Sequence, residues 1–240
     1  MKPSGIGLAC VIPARGGSRR FPRKNIALLR GKPLVAYAIE AAMGSGLFPE
    51  VWVSTDDAEI AAIAKACGAA IHERPPALAT DQATLVQVCL DFAEWLEGRG
   101  QRAEVVCMIL PTAALLRPED LRGGYALLAE WNADVSMAIT SYLESPFWAL
   151  ENAGGYLRPF FGRNYLLPSQ KLPEVWVDSG CFYFSRVAAL RREGSLYPPN
   201  LVGYRIPRDR SIDIDEPAHL AIAEALLEMS LKGTRPEERE

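Results

Sequence analysis

Short apolar runs alternate along the chain with longer segments in which apolar residues recur three and four positions apart. The short runs have the length of buried strands, and the longer segments have the period of amphipathic helices. The predicted strands cover residues 8–12, 51–54, 69–72, 105–110 and 134–140. Because a helical segment follows each of the first four strands, the order predicts an α/β fold. We expect a Rossmann-like, doubly wound, mostly parallel sheet with helices on both faces.

The segment from residue 141 to residue 185 departs from this alternation, because it is rich in aromatic residues and turn formers. Residues 152–155 predict a hairpin, and residues 177–184 predict a strand that rejoins the sheet. Exposed aromatic strands away from a main sheet are typical of an oligomer interface. We therefore divide the chain into a core (1–140 and 186–230), an inserted β-rich arm that would form an oligomer interface (141–185) and a charged tail (231–240).

The composition fits one α/β domain with an appendage, since the chain has 240 residues of which 49% are hydrophobic. Its net charge of −3 argues against a protein that binds nucleic acid or a membrane surface over its whole extent. No apolar run reaches the length that spans a bilayer, and the amino terminus lacks a signal-peptide cleavage site. The five cysteines are scattered, so we expect reduced core thiols in a cytoplasmic protein.

A strongly basic loop with two adjacent glycines follows the first predicted strand. Gly16 and Gly17 allow close approach of the backbone, and the loop carries five cations: Arg15, Arg19, Arg20, Arg23 and Lys24. A strand that leads into such a loop presents amides and positive charges to a polyphosphate. The glycine spacing matches neither a Walker A loop nor a dinucleotide-binding fingerprint. A solvated basic loop is the alternative, and the strand context and the glycine pair favour phosphate binding over it.

Two aspartates alternate with isoleucines near the carboxyl end of the chain. On a strand, Asp213 and Asp215 would share one face while Ile212 and Ile214 would face the core. Paired carboxylates beside a bound triphosphate suit Mg²⁺, which prefers oxygen ligands together with substrate phosphates. From local signals alone, Asp215 is equally well explained as the N-cap of the helix that begins near Pro217.

Several other polar residues lie where turns and helix caps are expected. From the residues alone they are explained as caps or turn formers: Asp56 or Asp57, Thr80 or Asp81, Arg74 and Thr84. The two histidines are isolated in the sequence. We interpret His72 as structural and His219 as a surface residue.

Four motifs occur together and in order along the chain: IPARGGSRRFPRKN at 12–25, VSTDD at 53–57, LPTA at 110–113 and SIDID at 211–215. Together they resemble the nonulosonate cytidylyltransferases, the CMP-sialic acid synthetase family, over nearly the whole chain. The resemblance implies a GT-A-like nucleotidyltransferase core that transfers CMP from CTP to the anomeric hydroxyl of a nine-carbon α-keto acid sugar. It also implies Mg²⁺ as the cofactor, with Mn²⁺ as the alternative, and a homodimer formed through the arm, with a tetramer left open.

The same resemblance implies roles for individual residues. The catalytic residues are Arg15, Lys24, Asp213 and Asp215, of which the two aspartates hold the metal. The nucleotide-binding residues are Ala14, Arg15, Gly16, Gly17, Ser18, Lys24, Asn25, Asp56, Arg74, Asp81 and Thr84. The sugar-binding residues are Leu110, Thr112, Ser169, Gln170, Asp178 and Ser179. The basic residues of the arm either meet the anionic sugar or are rim charges at the interface: Arg158, Arg163 and Lys171.

Three departures from the sialic-acid-specific members fall on the sugar side. Those members carry glutamine, arginine and asparagine where this chain has Leu110, Ser169 and Ser179. The resemblance is closer to the pseudaminic-acid branch, which we therefore favour. Legionaminic acid, N-acetylneuraminic acid or another ketoacid sugar is the alternative substrate. A non-catalytic nucleotide-binding dimer is the alternative of a different class.

Overall fold

The structure is a computed structural model that describes residues 7–18 and 20–231, apart from the side chains of Tyr165 and Leu231. Arg19 of the basic loop and residues 232–240 of the predicted tail lie outside the described residues. The strands, in chain order, are β1 (Leu8–Pro13), β2 (Leu28–Leu29), β3 (Lys32–Pro33), β4 (Val51–Thr55), β5 (Ala70–Glu73), β6 (Val105–Ile109), β7 (Val135–Ser141), β8 (Leu150–Ala153), β9 (Tyr156–Pro159), β10 (Trp176–Arg186) and β11 (Leu201–Arg205). The helices are α1 (Leu34–Ser45), α2 (Ala58–Ala66), α3 (Leu85–Glu97), α4 (Pro118–Glu130), α5 (Val187–Glu193) and α6 (Pro217–Leu231).

Seven strands form the main sheet in the order β11-β7-β10-β6-β1-β4-β5. Every neighbouring pair is parallel except the two pairs that involve β10, which runs antiparallel to β6 and β7. The predicted mostly parallel, doubly wound sheet is therefore confirmed. Because β10 runs in the opposite direction, its start lies at the carboxyl edge of the parallel strands, as the hydrogen bond from Leu110 N–H to Cys181 C=O shows.

Apolar side chains cover both faces of the sheet. One core cluster joins the sheet to α1, α2 and α4, through residues such as Ile39, Ile60 and Leu121. The other joins it to α3 and α5, through residues such as Phe92 and Leu190. Helix α6 closes a smaller cluster beside β2. The sequence alternates strands buried on both faces with helices apolar on one face, and this architecture follows from that alternation.

Two adjacent glycines, Gly123 and Gly124, let helix α4 pack directly against aromatic rings of the sheet. A Cβ at Gly124 would overlap the ring of Phe182, and one at Gly123 would overlap the ring of Tyr204. Phe182 is fully buried in β10 and has no space to move away.

The five cysteines have no disulfide partners, and burial raises the pKa of Cys89 and Cys181 to about 12.

The segment that leaves the sheet is shorter than the predicted arm. Residues 176–186 form β10 in the main sheet, so the excursion spans residues 142–175 rather than 141–185. The predicted hairpin at 152–155 is present as β8 and β9, with Gly154 and Gly155 at positive φ in the turn. This excursion exposes many large apolar side chains: Tyr142, Leu143, Trp148, Leu150, Tyr156, Leu157, Phe160, Phe161, Leu166 and Leu167.

Residues 211–215 do not form a strand. They have no hydrogen-bonded neighbouring strand, and a 3-10 turn at Arg208–Arg210 precedes them. The alternation still holds, since Ile214 is fully buried against α6 and Ile212 packs against the same cluster. The alternation of carboxylates and isoleucines therefore does not depend on hydrogen bonds to a neighbouring strand. None of the helices in the described part of the chain is both long and apolar enough to cross a bilayer.

Candidate active site

A cleft of about 470 Å³ opens at the carboxyl edge of the sheet, beyond the ends of β1 and β6. In an open α/β sheet this edge is where ligands bind. The cleft joins four parts of the chain, namely the basic loop, the start of α3 with the loop before it, the residues after β6 and the segment 211–215. Its lining residues are Pro13, Arg15, Ser18, Arg20, Lys24, Asn25, Asp81, Leu85, Leu110, Pro111, Thr112, Asp213 and Asp215.

The basic loop is held against the start of α2 by its first glycine. The N–H of Gly16 donates to Asp56 Oδ1 at 3.0 Å, and a Cβ at Gly16 would lie 2.7 Å from Asp57 Oδ2. Gly16 is thus required by close approach to a carboxylate, whereas a Cβ at Gly17 would meet open space. At the base of the loop, the buried Asn25 donates from Nδ2 to the C=O of Arg15 at 2.9 Å.

The cations of the basic loop point to different partners. Arg23 is in the left-handed backbone region, with φ of 59°, and its guanidinium binds Asp57 and Glu59 on α2. It does not line the cleft, whereas Arg15, Arg20 and Lys24 do. Asp57 is also the N-cap of α2, because its Oδ1 accepts from two backbone amides in the first turn. Those amide hydrogen bonds, together with Arg23, lower the pKa of Asp57 despite its partial burial.

Loop cations hold the carboxylate of Asp215. Lys24 Nζ lies 2.8 Å from its Oδ1, and Arg20 Nη2 lies 2.8 Å from its Oδ2. Although partial burial opposes the shift, these two cations lower the pKa of Asp215. Its backbone N–H donates to His219 Nδ1 at 3.2 Å, so His219 is a partly buried partner of this segment rather than the predicted surface residue. The helix-cap interpretation of Asp215 does not account for the two cation contacts.

The second carboxylate, Asp213, lines the same cleft as Asp215. Its Oδ1 accepts a hydrogen bond from Thr112 Oγ1 at 3.3 Å. Burial and then the charge of Asp215 raise the pKa of Asp213. Arg210 anchors the segment 211–215 to the start of α4. Its Nη2 lies 3.0 Å from Oδ1 of the buried Asp120.

This arrangement fits a divalent cation that is shared with a substrate. Within residues 7–18 and 20–231 there is no group of three or more His, Cys, Asp or Glu side chains that could hold a metal. Asp213 and Asp215 supply two carboxylates beside a cationic cleft. Mg²⁺ is commonly bound by one or two carboxylates together with substrate phosphates and water, and Mn²⁺ also accepts oxygen ligands.

On the nucleobase side, the structure brings only part of the predicted set to the cleft. Asp81 lines it and pairs with Arg15 at 2.6 Å. Thr84 lies outside it as the N-cap of α3, in a capping box with Gln87. The predicted caps Thr80 and Asp81 are therefore wrong, because the helix starts later than the pattern indicated.

Five more predicted nucleotide residues do not line the cleft, namely Ala14, Gly16, Gly17, Asp56 and Arg74. Ala14 is fully buried and donates its N–H to the C=O of Ser54 at 2.9 Å. Asp56 is engaged by Gly16, as described above. Arg74 is buried, and its guanidinium donates to Ser54, to Oγ at 3.1 Å and to the C=O at 2.8 Å.

Arg74 is part of a buried polar chain below the cleft. Ser54 Oγ accepts from Arg74 Nε and lies 3.0 Å from His72 Nδ1. His72 is almost fully buried beside Phe92 and Trp95, and its Nε2 is 3.3 Å from Asp91 Oδ2. Burial, followed by the charges of Arg74 and Arg99, lowers the pKa of His72 to about 4. The structural interpretation of His72 is consistent with these contacts.

The low pKa of His72 predicts a loss of stability in mild acid. Its ordinary pKa is 6.5, so the unfolded chain binds a proton that the folded chain refuses between pH 6.5 and about pH 4. The contribution of neutral His72 to the free energy of unfolding is fully present above pH 6.5, and it is lost as the pH falls towards 4. Between pH 7.5 and pH 5 we expect His72 to cost about 2 kcal/mol of unfolding free energy. Urea unfolding at both pH values measures this loss, which should shrink in His72→Gln; an equal loss in that variant would contradict it.

On the sugar side, only Leu110 and Thr112 of the predicted residues line the cleft. Ser179 is buried and donates to the C=O of Ala138 at 2.9 Å. The Asp178 carboxylate accepts from the hydroxyls of Tyr183 and Tyr197 at 2.6 and 2.7 Å. These two residues therefore shape an irregular part of β10, where its pairing with β7 shifts register.

Ser169 and Gln170 lie in an exposed 3-10 turn of the excursion, outside the cleft. The lining residues that the sequence interpretation did not include as site residues are Pro13, Arg20, Leu85 and Pro111. A usable signal existed for three of them. Pro13 ends β1 and Pro111 follows β6 by two residues, both at the carboxyl edge, and Arg20 belongs to the basic loop.

The sequence matches the family of cytidylyltransferases over residues 9–151. A pseudaminic acid cytidylyltransferase of Campylobacter jejuni is 35% identical over 225 residues, which are 92% of this chain and 96% of that protein. The chain belongs to the cytidylyltransferase family. It is therefore a nucleotidyltransferase that uses CTP.

Two further relatives and two solved structures agree with this membership. A CMP-N,N'-diacetyllegionaminic acid synthase of Legionella pneumophila is 29% identical and covers 93% of this chain and 97% of that protein. An N-acylneuraminate cytidylyltransferase of Danio rerio is also 29% identical, over 90% of this chain and 50% of its own length. The fold is similar to CMP:2-keto-3-deoxy-manno-octonic acid synthetase complexed with CTP, with a TM-score of 0.68, 18% identity and 93% and 99% coverage of the two chains. It is also similar to 4-diphosphocytidyl-2C-methyl-D-erythritol synthase of Anaerococcus prevotii, with a TM-score of 0.64, 13% identity and 92% and 96% coverage.

Proposed function

We propose that this protein transfers CMP from CTP to the anomeric hydroxyl of a nine-carbon α-keto acid sugar, with pseudaminic acid as the first choice, and releases pyrophosphate. The observation that carries the proposal is the meeting of loop cations with Asp213 and Asp215 in one cleft at the carboxyl edge of the sheet. The cations match a triphosphate, and the carboxylates match the metal that accompanies it. The relatives that align over nearly the whole chain act on sugars of this class by their names.

In this proposal the basic loop binds the triphosphate. Arg15 and Lys24 neutralise phosphate oxygens, and the backbone of Gly17 and the hydroxyl of Ser18 donate hydrogen bonds. Gly16 is not a phosphate donor, because its N–H is already used by Asp56. Asn25 keeps the loop closed through the C=O of Arg15. These groups align the α-phosphorus so that the sugar hydroxyl can attack it in line with the departing pyrophosphate.

Asp213 and Asp215 hold Mg²⁺, with Mn²⁺ as the alternative. When bound, the metal screens phosphate charge and acidifies the attacking hydroxyl. The side chains of this chain orient the reactants around that position. Thr112 fixes Asp213 through its hydroxyl, and Arg210 fixes the segment that carries both aspartates. In the attack the sugar oxygen loses its proton to water and forms a bond to the α-phosphorus, and the bond from that phosphorus to the bridging oxygen of pyrophosphate breaks.

Apolar side chains at the cleft support a partly deoxygenated, acylated sugar. Leu110 and Leu85 line the cleft, and Gly180 brings the backbone of β10 close to Leu110 and Asp213. An apolar wall binds methyl and acyl groups better than hydroxyl groups. This favours pseudaminic acid over a sugar that needs a polar partner at position 110.

The exposed excursion supports a homodimer, with a tetramer left open, and the free thiols support a location in the cytoplasm. The aromatic and aliphatic side chains of residues 142–175 form an apolar surface of the kind that associates with another protein. Arg158, Arg163 and Lys171 lie in this excursion and either reach the sugar carboxylate of the partner's site or remain rim charges. Five unpaired thiols fit a reducing compartment. Sedimentation velocity tests the dimer.

Pyrophosphate release from CTP and Mg²⁺ tests the function across a panel of pseudaminic, legionaminic, N-acetylneuraminic and eight-carbon ketoacids. We expect turnover with pseudaminic acid to exceed that with the others. Turnover with only another member would retain the reaction and correct the substrate. CTP binding without turnover on any sugar would instead favour the non-catalytic nucleotide-binding dimer.

A further inference from the structure

Arg20 has no role in the function proposed so far, yet it makes a direct contact with a proposed metal ligand. Its Nη2 lies 2.8 Å from Asp215 Oδ2, while Lys24 Nζ lies 2.8 Å from Asp215 Oδ1. Both oxygens of this carboxylate are therefore in contact with a cation of the basic loop. The Arg20 side chain is 69% accessible to solvent. Because exposed ion pairs contribute little to folding stability, stabilisation of the fold does not explain this contact.

The charges at this point of the cleft are already balanced without a metal. Asp213 and Asp215 carry two negative charges, and Lys24 and Arg20 carry two positive charges. A divalent cation that approached Asp215 would have to displace a cation from an oxygen and would be repelled by both. A triphosphate has the opposite effect, because its oxygens compete with Asp215 for the arginine and the lysine.

We infer that Arg20 and Lys24 block Asp215 from binding a divalent cation until CTP draws them away, so that metal binds at Asp215 only together with the nucleotide. This rests on the proposed function, since it takes the nucleotide as CTP and Asp215 as a metal ligand. Arg20 becomes a positioning residue that sets the order in which nucleotide and metal bind. The order prevents a metal ion from occupying the site in the absence of the phosphates that it must bridge.

Arg20 is the better residue to change, because Lys24 also belongs to the proposed phosphate-binding set. Arg20→Gln removes one of the two cations on Asp215 and leaves the proposed catalytic groups intact. Arg23→Gln is the matched control. Arg23 is in the same loop and carries the same charge, but its guanidinium binds Asp57 and Glu59 and not Asp215.

The experiment measures Mn²⁺ binding to the full-length protein by electron paramagnetic resonance, without nucleotide and then with saturating CTP. Without CTP, we expect the wild type and Arg23→Gln to bind Mn²⁺ weakly and Arg20→Gln to bind it at least about ten-fold more tightly. With CTP, we expect the affinities of wild type and Arg20→Gln to agree within about three-fold. Adding Asp215→Asn to Arg20→Gln should remove the gain, which assigns the bound ion to Asp215.

Two results would overturn the inference. One is Mn²⁺ binding by the wild type that is as tight without CTP as with it. The other is an equal gain in Arg20→Gln and Arg23→Gln, which would show a general effect of loop charge. The sugar panel separates this failure from failure of the function. If the protein turns over a sugar but binds Mn²⁺ equally tightly with and without CTP, only the inference is contradicted. If Mn²⁺ binding depends on Arg20 but no sugar is turned over, only the proposed function is contradicted.

Discussion

Asp215→Asn is expected to lower kcat for pyrophosphate release by at least about 10³-fold while CTP binding is retained. The substitution keeps the shape of the side chain but removes the charge that a divalent cation requires. It also leaves Lys24 and Arg20 without their carboxylate partner. These two cations remain in the cleft, so affinity for the triphosphate should be preserved or strengthened.

Steady-state kinetics with Mg²⁺ and calorimetric titration with CTP measure the two parts of this prediction. Asp209→Asn is the matched control, because Asp209 is an exposed acid in the turn that precedes the same segment and does not line the cleft. It should behave as the wild type in both assays. Wild-type kcat in Asp215→Asn would remove the metal-ligand assignment, and loss of CTP binding with retained fold would place Asp215 in nucleotide binding instead.

Lys24→Met is expected to lower kcat/KM for CTP by about 10²- to 10³-fold. Lys24 is the least exposed of the loop cations that line the cleft, with 18% of its side chain accessible, so its charge is weakly screened. Removing it takes a cation from the proposed phosphate site and leaves Asp215 with less compensation. Both effects oppose the approach of a triphosphate, and methionine keeps most of the apolar stem in place.

The same kinetics on Lys32→Met provide the control for a lost lysine charge. Lys32 Nζ pairs with Glu40 at 2.6 Å and does not line the cleft. That variant should remain within about three-fold of the wild type, as expected for an exposed ion pair. If Lys24→Met were equally mild, the phosphate would have to be bound mainly by Arg15 and Arg20, and the assignment of Lys24 would be withdrawn.

The order of elements could be read from the sequence because the signals that set it are local. Apolar runs such as the one before Pro13 form strands that are buried on both faces of the sheet. The glycine-containing basic loop comes directly after that run in the sequence. The alternation of Asp213 with Ile214 likewise placed a carboxylate in the cleft and an isoleucine in the core. That outcome follows from the alternation itself, since residues 211–215 form no strand and still divide between the cleft and the core.

Local signals could not decide which polar groups would meet. Arg20, Arg23 and Lys24 are neighbours in one loop, yet Arg23 binds α2 while the other two bind Asp215, which lies 191 residues from Lys24. A side chain finds its charge partner only when the fold has brought distant segments together. The sequence therefore determined the sheet, the basic loop and the carboxylate pair, because these depend on periodicity and residue type. Only the tertiary structure decided that Arg74, Asp178 and Ser179 face internal partners, because hydrogen-bond satisfaction of buried groups depends on what surrounds them.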